Sequence, residues 1–299
     1  MIAKDATLTR FEVEIRHLVT VFCVLAASVL PLSLAAQDDN ASDPVMTEAD
    51  ALEWQTQPID FLVNPIYPPE QAEQVYQPLV EYLRTETGLD LQLITARNFH
   101  RYWVDARRNE AAPFILEDAH MASWRMNQHG YQPLAMASTP TSFSLLTMGH
   151  MADDQLEDFI GRQVSSLPSP SLGYVVLTNW FTNPLQQPLI LSNATSWLDA
   201  IEIVFAGEAD AAIVPQNLVL RYPNLYPIQQ SDEMPGLTLS AASEVPESIR
   251  QTVTDALINL ADNPDFHSAL FELDIEAFVA ANPDDFAELD QLLSTIFSL

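Results

Sequence analysis

Lysine is missing beyond residue 36, cysteine occurs once, and glycine only seven times in 299 residues. Each scarcity excludes something. A lone cysteine, Cys23, has no partner within the chain. If the segment that carries it is removed, the remainder has no disulfide, no thiolate nucleophile and no cysteine-based metal site. The few glycines form no G-x-S-x-G elbow, no P-loop and no G-x-G-x-x-G fingerprint, which argues against the chemistries built on those turns. Positive charge is equally scarce: 12 Lys and Arg stand against 41 Asp and Glu, a net charge of −29. That balance argues against nucleic acid or an anionic membrane surface as a main partner. It also suits a highly charged anionic ligand only if the site itself is locally positive.

What is present is enough apolar material to fold. Hydrophobic residues make up 48% of the chain, a globular composition with room for one or two domains. At the N-terminus Lys4, Arg10 and Arg16 precede an apolar run, Leu18–Leu34, which closes on Ala35-Ala36 and turns acidic at Asp38-Asp39. This reads as an export signal spanning residues 1–36, with an uncleaved membrane anchor as the alternative. Cys23 follows Phe22, where a lipoprotein cleavage box needs a small residue. Residues 37–57 are polar and acidic and read as a flexible lead-in.

Beyond that point strand and helix signals alternate. Ile59–Val63 reads as a strand, and Pro68-Pro69-Glu70 opens a helix whose apolar positions Ala72, Val75, Tyr76, Leu79, Val80 and Leu83 end at Gly88. A strand at Leu89–Thr95, a short helix at Phe99–Arg108, a strand at Phe114–Leu116, a helix from Ala119 to Gly130 and a strand at Pro133–Ala137 follow. The regular alternation predicts an α/β chain with a parallel, doubly wound sheet. The second half continues with an extended Thr141–Met148, a short helix at Asp153–Ile160, a strand at Pro188–Leu191, a helix at Ser196–Ala206 and a strand at Ala211–Val214. Helices are expected at Ile249–Leu260, Phe266–Leu270 and Phe286–Phe297.

One stretch carries the functional reading. In Gln163–Asn183 a short apolar segment meets a Ser/Pro/Gly turn, Pro168-Ser169-Pro170-Ser171-Leu172-Gly173, and a helix follows with Tyr174, Leu177, Trp180 and Phe181 on one face. Such a turn aims backbone N–H groups and serine hydroxyls along a helix dipole and can hold an anion. The competing reading is an ordinary helix cap.

The order of motifs resembles the phosphonate/phosphite-type periplasmic substrate-binding proteins of ABC transporters. The resemblance rests on Tyr76-Gln77-Pro78-Leu79-Val80-Glu81-Tyr82-Leu83 with Thr87-Gly88-Leu89, on Phe114–Tyr131, and on Gly207-Glu208-Ala209-Asp210-Ala211-Ala212-Ile213-Val214. It implies a two-lobed, type II periplasmic-binding-protein-like fold with a two-segment hinge, near Ser138–Ser142 and Met234–Ser240, and an interlobe cleft. Residues 58–140 and 238–299 would form lobe 1 and residues 141–237 lobe 2. The family's ligand turn falls on Ser169, Ser171, Gly173 and Tyr174, while Pro170 and Leu172 stand where it places serines, so two hydroxyl donors and one backbone N–H are lost. The resemblance further assigns Tyr67 to the cleft lip and Asp210 to the neighbourhood of a bound amine.

Asp118 and His120 sit at the start of a helix facing the same region, Asp118 also being a natural cap. Glu117, Asp118 and His120 lack metal-ligand spacing, and no cofactor is expected. The expected protein is therefore a periplasmic, monomeric carrier of a small ligand, whether phosphonate, phosphite or another small oxyanion, with a diverged site and an ABC permease as partner. Two alternatives are a ligand-sensing module reporting to a membrane protein and a hydrolase or lyase using His120 and Asp118.

Overall fold

The structure, a computed structural model, describes residues 54–110 and 112–297. The expected export signal and most of the lead-in lie outside these residues. The last part of the lead-in, 54–56, is helical and packs Trp54 against the core. The strands are β1 (Ile59–Val63), β2 (Leu91–Thr95), β3 (Phe114–Glu117), β4 (Gln132–Ala137), β5 (Phe143–Met148), β6 (Gln163–Ser165), β7 (Leu189–Leu191), β8 (Ala211–Pro215), β9 (Leu225–Gln230), β10 (Thr238–Ala241) and β11 (Phe278–Ala280). The helices are α1 (Pro69–Thr87), α2 (Phe99–Arg107), α3 (Ala119–His129), α4 (Leu172–Trp180), α5 (Trp197–Phe205), α6 (Gln216–Val219), α7 (Glu247–Asn259) and α8 (His267–Leu273). Their ends follow local chemistry. Proline opens α1, and Gly88 closes it in the left-handed conformation at φ 70° with its N–H on the Arg84 carbonyl. Asn98 caps α2 by accepting from the Arg101 N–H, and Ser196 caps α5 in the same way from Asp199.

The strands form two sheets, ordered β11-β4-β10-β3-β1-β2 and β7-β6-β8-β5-β9. Both are mixed, which corrects the expectation of a parallel sheet. β10 lies between β3 and β4 and runs antiparallel to both, and β5 is antiparallel to β8 and β9. The reason is topological. A parallel neighbour needs a crossover connection, whereas β5 and β10 are the strands that arrive straight from the other sheet. Other segments also differ from expectation. Leu225–Gln230 and Phe278–Ala280 are strands, the Asp153–Ile160 helix shrinks to a 3₁₀ turn at Leu156–Phe159, and Phe286–Phe297 forms 3₁₀ turns at Pro283–Phe286 and Leu289–Thr295.

Each sheet has its own core. Phe61, Tyr76, Leu79, Phe114, Leu116, Leu239 and Phe278 fill the first, and Phe143, Leu145, Val164, Leu177, Ile201 and Ile213 the second. Each such side chain contributes roughly 1.5–3 kcal/mol of burial free energy. Two connections join the sheets, β4 to β5 and β9 to β10. They run antiparallel, and Thr141 and Met234 exchange N–H···O bonds of 2.8 and 2.9 Å. Gly236 sits inside this crossing, where an added Cβ would fall 2.7 Å from the Thr139 carbonyl oxygen and 2.9 Å from that of Ala137. No helix among the described residues is long and apolar enough to cross a membrane.

Candidate ligand site

The site grows from the carboxyl ends of β1 and β3, where parallel strands release their chains into loops and helix starts. Asn64 follows β1 and is 2% exposed. Its Nδ2 donates to Asp118 Oδ2 at 3.2 Å, and its Oδ1 accepts from the Tyr76 hydroxyl at 3.1 Å. Tyr67 meets the Tyr76 ring edge-on, with centroids 6.2 Å apart. Burial, then the Asp274 carboxylate, raise the Tyr67 pKa, with Arg221 opposing.

Asp118 begins α3 without a side-chain bond to its own helix; among the described residues its side-chain partner is Asn64. Burial first and the adjacent Glu117 second push its carboxyl up to about 7, against the stabilising bond from Asn64. Glu117 is itself paired: Arg125 Nε lies 2.9 Å from its Oε1, and the Tyr102 hydroxyl donates to Oε2. The Arg125 guanidinium is fully buried and rests 5.4 and 5.7 Å from the Tyr102 and Tyr131 ring centres.

His120 carries the contact that matters most. It is 1% exposed, and its Nε2 lies 2.8 Å from the Pro170 carbonyl oxygen in the turn before α4. Burial brings its pKa down to about 4, against the Pro170 bond, so the ring is neutral at ordinary pH. Its Nδ1 is buried with no hydrogen-bond partner, and so is the Oγ of Ser169, one residue before Pro170.

The structure thus brings Asp118, His120 and Ser169 into one neighbourhood, with Tyr67 joined through Tyr76 and Asn64. The other expected residues have other work. Ser171 Oγ donates to the Leu167 carbonyl at 3.2 Å and accepts from the Tyr174 N–H at 3.4 Å, which caps α4. Gly173 permits close packing, since an added Cβ would fall 2.7 Å from the Trp197 ring. Tyr174 is half-buried, and burial raises its pKa. Asp210 Oδ2 accepts from the Gln163 N–H at 2.9 Å, where β6 and β8 begin, at the opposite end of those strands from the serine turn. Sequence reasoning passed over Asn64 and Arg125. A buried amide directly after a predicted strand was the available signal for the first; nothing local marked the second.

The two sheet-centred halves touch closely around this region. Phe99 and Ile66 from the first pack into the second core, and Val175 of α4 joins Tyr102, Trp103, Met121, Trp124 and Leu293 in a third cluster. Asp274 binds Asn217 Nδ2 at 2.6 Å and Arg221 at 2.7 Å. Two surface grooves of about 490 Å³ lie on the first half, one lined by Leu62, Ile94, Arg97 and Arg101, the other by Glu70, Glu73 and Gln92. Neither is lined by any of the eight expected site residues. Among the described residues no group of three His, Cys, Asp or Glu side chains is placed to hold a metal ion.

Comparison with known proteins now bears on this geometry. No curated protein sequence matches the chain. Solved structures of similar fold include PhnD1 from Prochlorococcus marinus in complex with methylphosphonate, at 11% identity and TM-score 0.66, covering 80% of this chain and 98% of that one. XAC2383 from Xanthomonas citri bound to ATP aligns at 14% identity and TM-score 0.64, over 80% and 97%. A binding-protein component of an ABC phosphonate transporter from Pseudomonas aeruginosa aligns at 16% identity and TM-score 0.64, over 80% and 86%. At these identities the likeness concerns the fold, which is that of type II periplasmic binding proteins. The sequence model described as "ABC transporter, phosphonate, periplasmic substrate-binding protein" matches residues 61–286, about three quarters of the chain, and the chain therefore belongs to that family of periplasmic substrate-binding proteins.

Proposed function

We propose that this protein is exported by its N-terminal signal and delivers a small, singly charged phosphonate-like oxyanion to an ABC permease. The observation that carries the reading is the His120–Pro170 bond of 2.8 Å, because it joins the two segments expected to face each other across a ligand. Asp118, His120 and Tyr67 would bind from one half, and Ser169 with the first turn of α4 from the other. The halves would part about the paired crossings at Thr141 and Met234 to admit the ligand and close over it. Methylphosphonate, the ligand named for the Prochlorococcus protein, is the first compound to test.

A ligand that selects the closed native form raises the melting temperature. At a concentration a hundred times its Kd the gain is about 2.7 kcal/mol. The test is a thermal-shift screen of the secreted protein with methylphosphonate, phosphite, phosphate, sulfonates, amino acids and polyamines. A saturable upward shift with a phosphonate or phosphite is expected; no shift with any of these compounds overturns the proposal.

A further inference from the structure

We infer that His120 is a specificity-determining acceptor, selecting a ligand that presents an O–H or N–H over an isosteric oxyanion that lacks one. The inference rests on the site assignment just proposed and deepens it.

The argument starts with the carbonyl of Pro170. A carbonyl oxygen only accepts hydrogen bonds, so the nitrogen 2.8 Å from it, His120 Nε2, must carry a hydrogen. The state of the other nitrogen follows from its surroundings. A hydrogen on Nδ1 would make the ring a buried cation with a donor facing no acceptor, because Nδ1 has no partner among the described residues. The ring is therefore the neutral Nε2–H tautomer, and Nδ1 presents a bare lone pair. The depressed pKa agrees with this. A buried lone pair without a donor is an unmet acceptor on a side chain that is 1% exposed.

The charges around it point the same way. Glu117 is matched by Arg125, and Arg221 is matched by Asp274. Asp118 brings a carboxyl two residues before His120, and its partner is the neutral Asn64. Each of these two arginines therefore already faces a carboxylate and brings no unmatched charge for a doubly charged ligand. Ser171 is committed to capping α4, and Pro170 has no N–H. Ser169 Oγ, buried and unpartnered, is the hydroxyl left to donate to a ligand oxygen. The set comprises one acceptor, one hydroxyl and one carboxyl. It suits a singly charged group that keeps a proton of its own, such as a phosphonate monoanion.

Two compounds isolate that proton. At mildly acidic pH methylphosphonate is a monoanion with one P–OH, whereas methanesulfonate has the same shape and charge and no O–H. The experiment is isothermal titration of the full mature protein with each, repeated for His120→Asn and His120→Phe. We expect methylphosphonate to bind at least ~100-fold tighter than methanesulfonate, since a site built around a hydrogen bond rejects the analogue that cannot make it. His120→Phe should collapse the ratio to within about threefold. His120→Asn, whose amide can serve Pro170 and still offer an oxygen, should restore part of it. Equal binding of the two compounds, or a ratio unchanged in His120→Phe, overturns the inference and leaves the transport reading standing. No binding of either compound overturns the inference, and the transport reading falls with it only if the thermal-shift screen is silent for every other compound as well. Should His120→Phe fail to fold, ¹⁵N NMR of the His120 ring in the unmodified protein decides: a bare Nδ1 supports the inference, and a protonated one sinks it.

Discussion

Phe297 stacks on Trp103, with ring centroids 4.5 Å apart and planes 20° apart. The contact belongs to a C-terminal strap that grips both halves of the molecule. Asp290 N–H donates to Ser123 Oγ on α3, while Asn179 on α4 donates to the Leu292 carbonyl at 3.1 Å. Leu293 is fully buried between those helices. The strap lies beyond residue 286, where the family match ends. Leu293→Ala should cost about 2–5 kcal/mol, as buried leucine truncations do. Deleting residues 287–299 should lower the melting temperature further and speed hydrogen exchange in α3 and α4; unchanged exchange there would show that the strap holds nothing in place.

Gly236→Ala should destabilise by about 1–3 kcal/mol, because the atoms it would strike are backbone oxygens of Thr139 and Ala137 and cannot turn aside. Gly88→Ala is the contrast: its Cβ meets open space, and only the positive φ of 70° opposes it, at a cost of about 1 kcal/mol. Denaturant melts of the two variants check the order. A Gly236→Ala protein as stable as the parent would contradict the close approach.

The buried Glu117–Arg125 pair predicts strong non-additivity. Removing one partner leaves a charge stranded in the core, so Glu117→Gln or Arg125→Met alone should cost roughly 3–5 kcal/mol. The double variant should recover much of that loss, because neither charge remains. A double-mutant cycle measures the recovery, and simple additivity would refute the coupling.

Asp118 and His120 should oppose each other in the pH dependence of stability. The Asp118 pKa rises from 3.8 unfolded to about 7 folded, so between those values the folded state holds the extra proton. Its contribution is full below about pH 3.8 and is lost as pH rises to 7. The His120 pKa falls from 6.5 to about 4, so there the unfolded state holds the extra proton. Its neutral form favours folding above pH 6.5, an advantage lost as pH falls toward 4. Asp118→Asn should therefore make stability climb more steeply between about pH 4 and 6.5, and His120→Phe should flatten the climb. Urea melts across that range test both signs; identical slopes in parent and variants would refute the assignment.

Much of the fold was legible because burial alternates where the sequence does. Ile59, Phe61 and Val63 face the core while Asp60 faces out, and α1 hides the apolar positions its spacing marks. β9 escaped notice because it pairs only with β5 at the sheet edge and carries exposed Tyr226 beside Pro227, which blurs the alternation. Leu289, Leu292, Leu293 and Ile296 have helical spacing yet form 3₁₀ turns, since Ser123 and Asn179 engage the backbone N–H of Asp290 and the carbonyl of Leu292. The site was half legible. The polar helix start at Asp118 and His120 stood out, but Asn64 reaches Asp118 across 54 positions and His120 reaches Pro170 across 50. Such partners are set by tertiary placement, which local pattern does not encode.

The paired bonds between Thr141 and Met234 have a mechanical consequence. Two strands tied together behave as one ribbon, which twists and bends far more readily than its edges slide past each other. On the proposed opening of the halves, the two sheets would therefore rotate about that ribbon, near Gly236, where backbone lies closest to backbone.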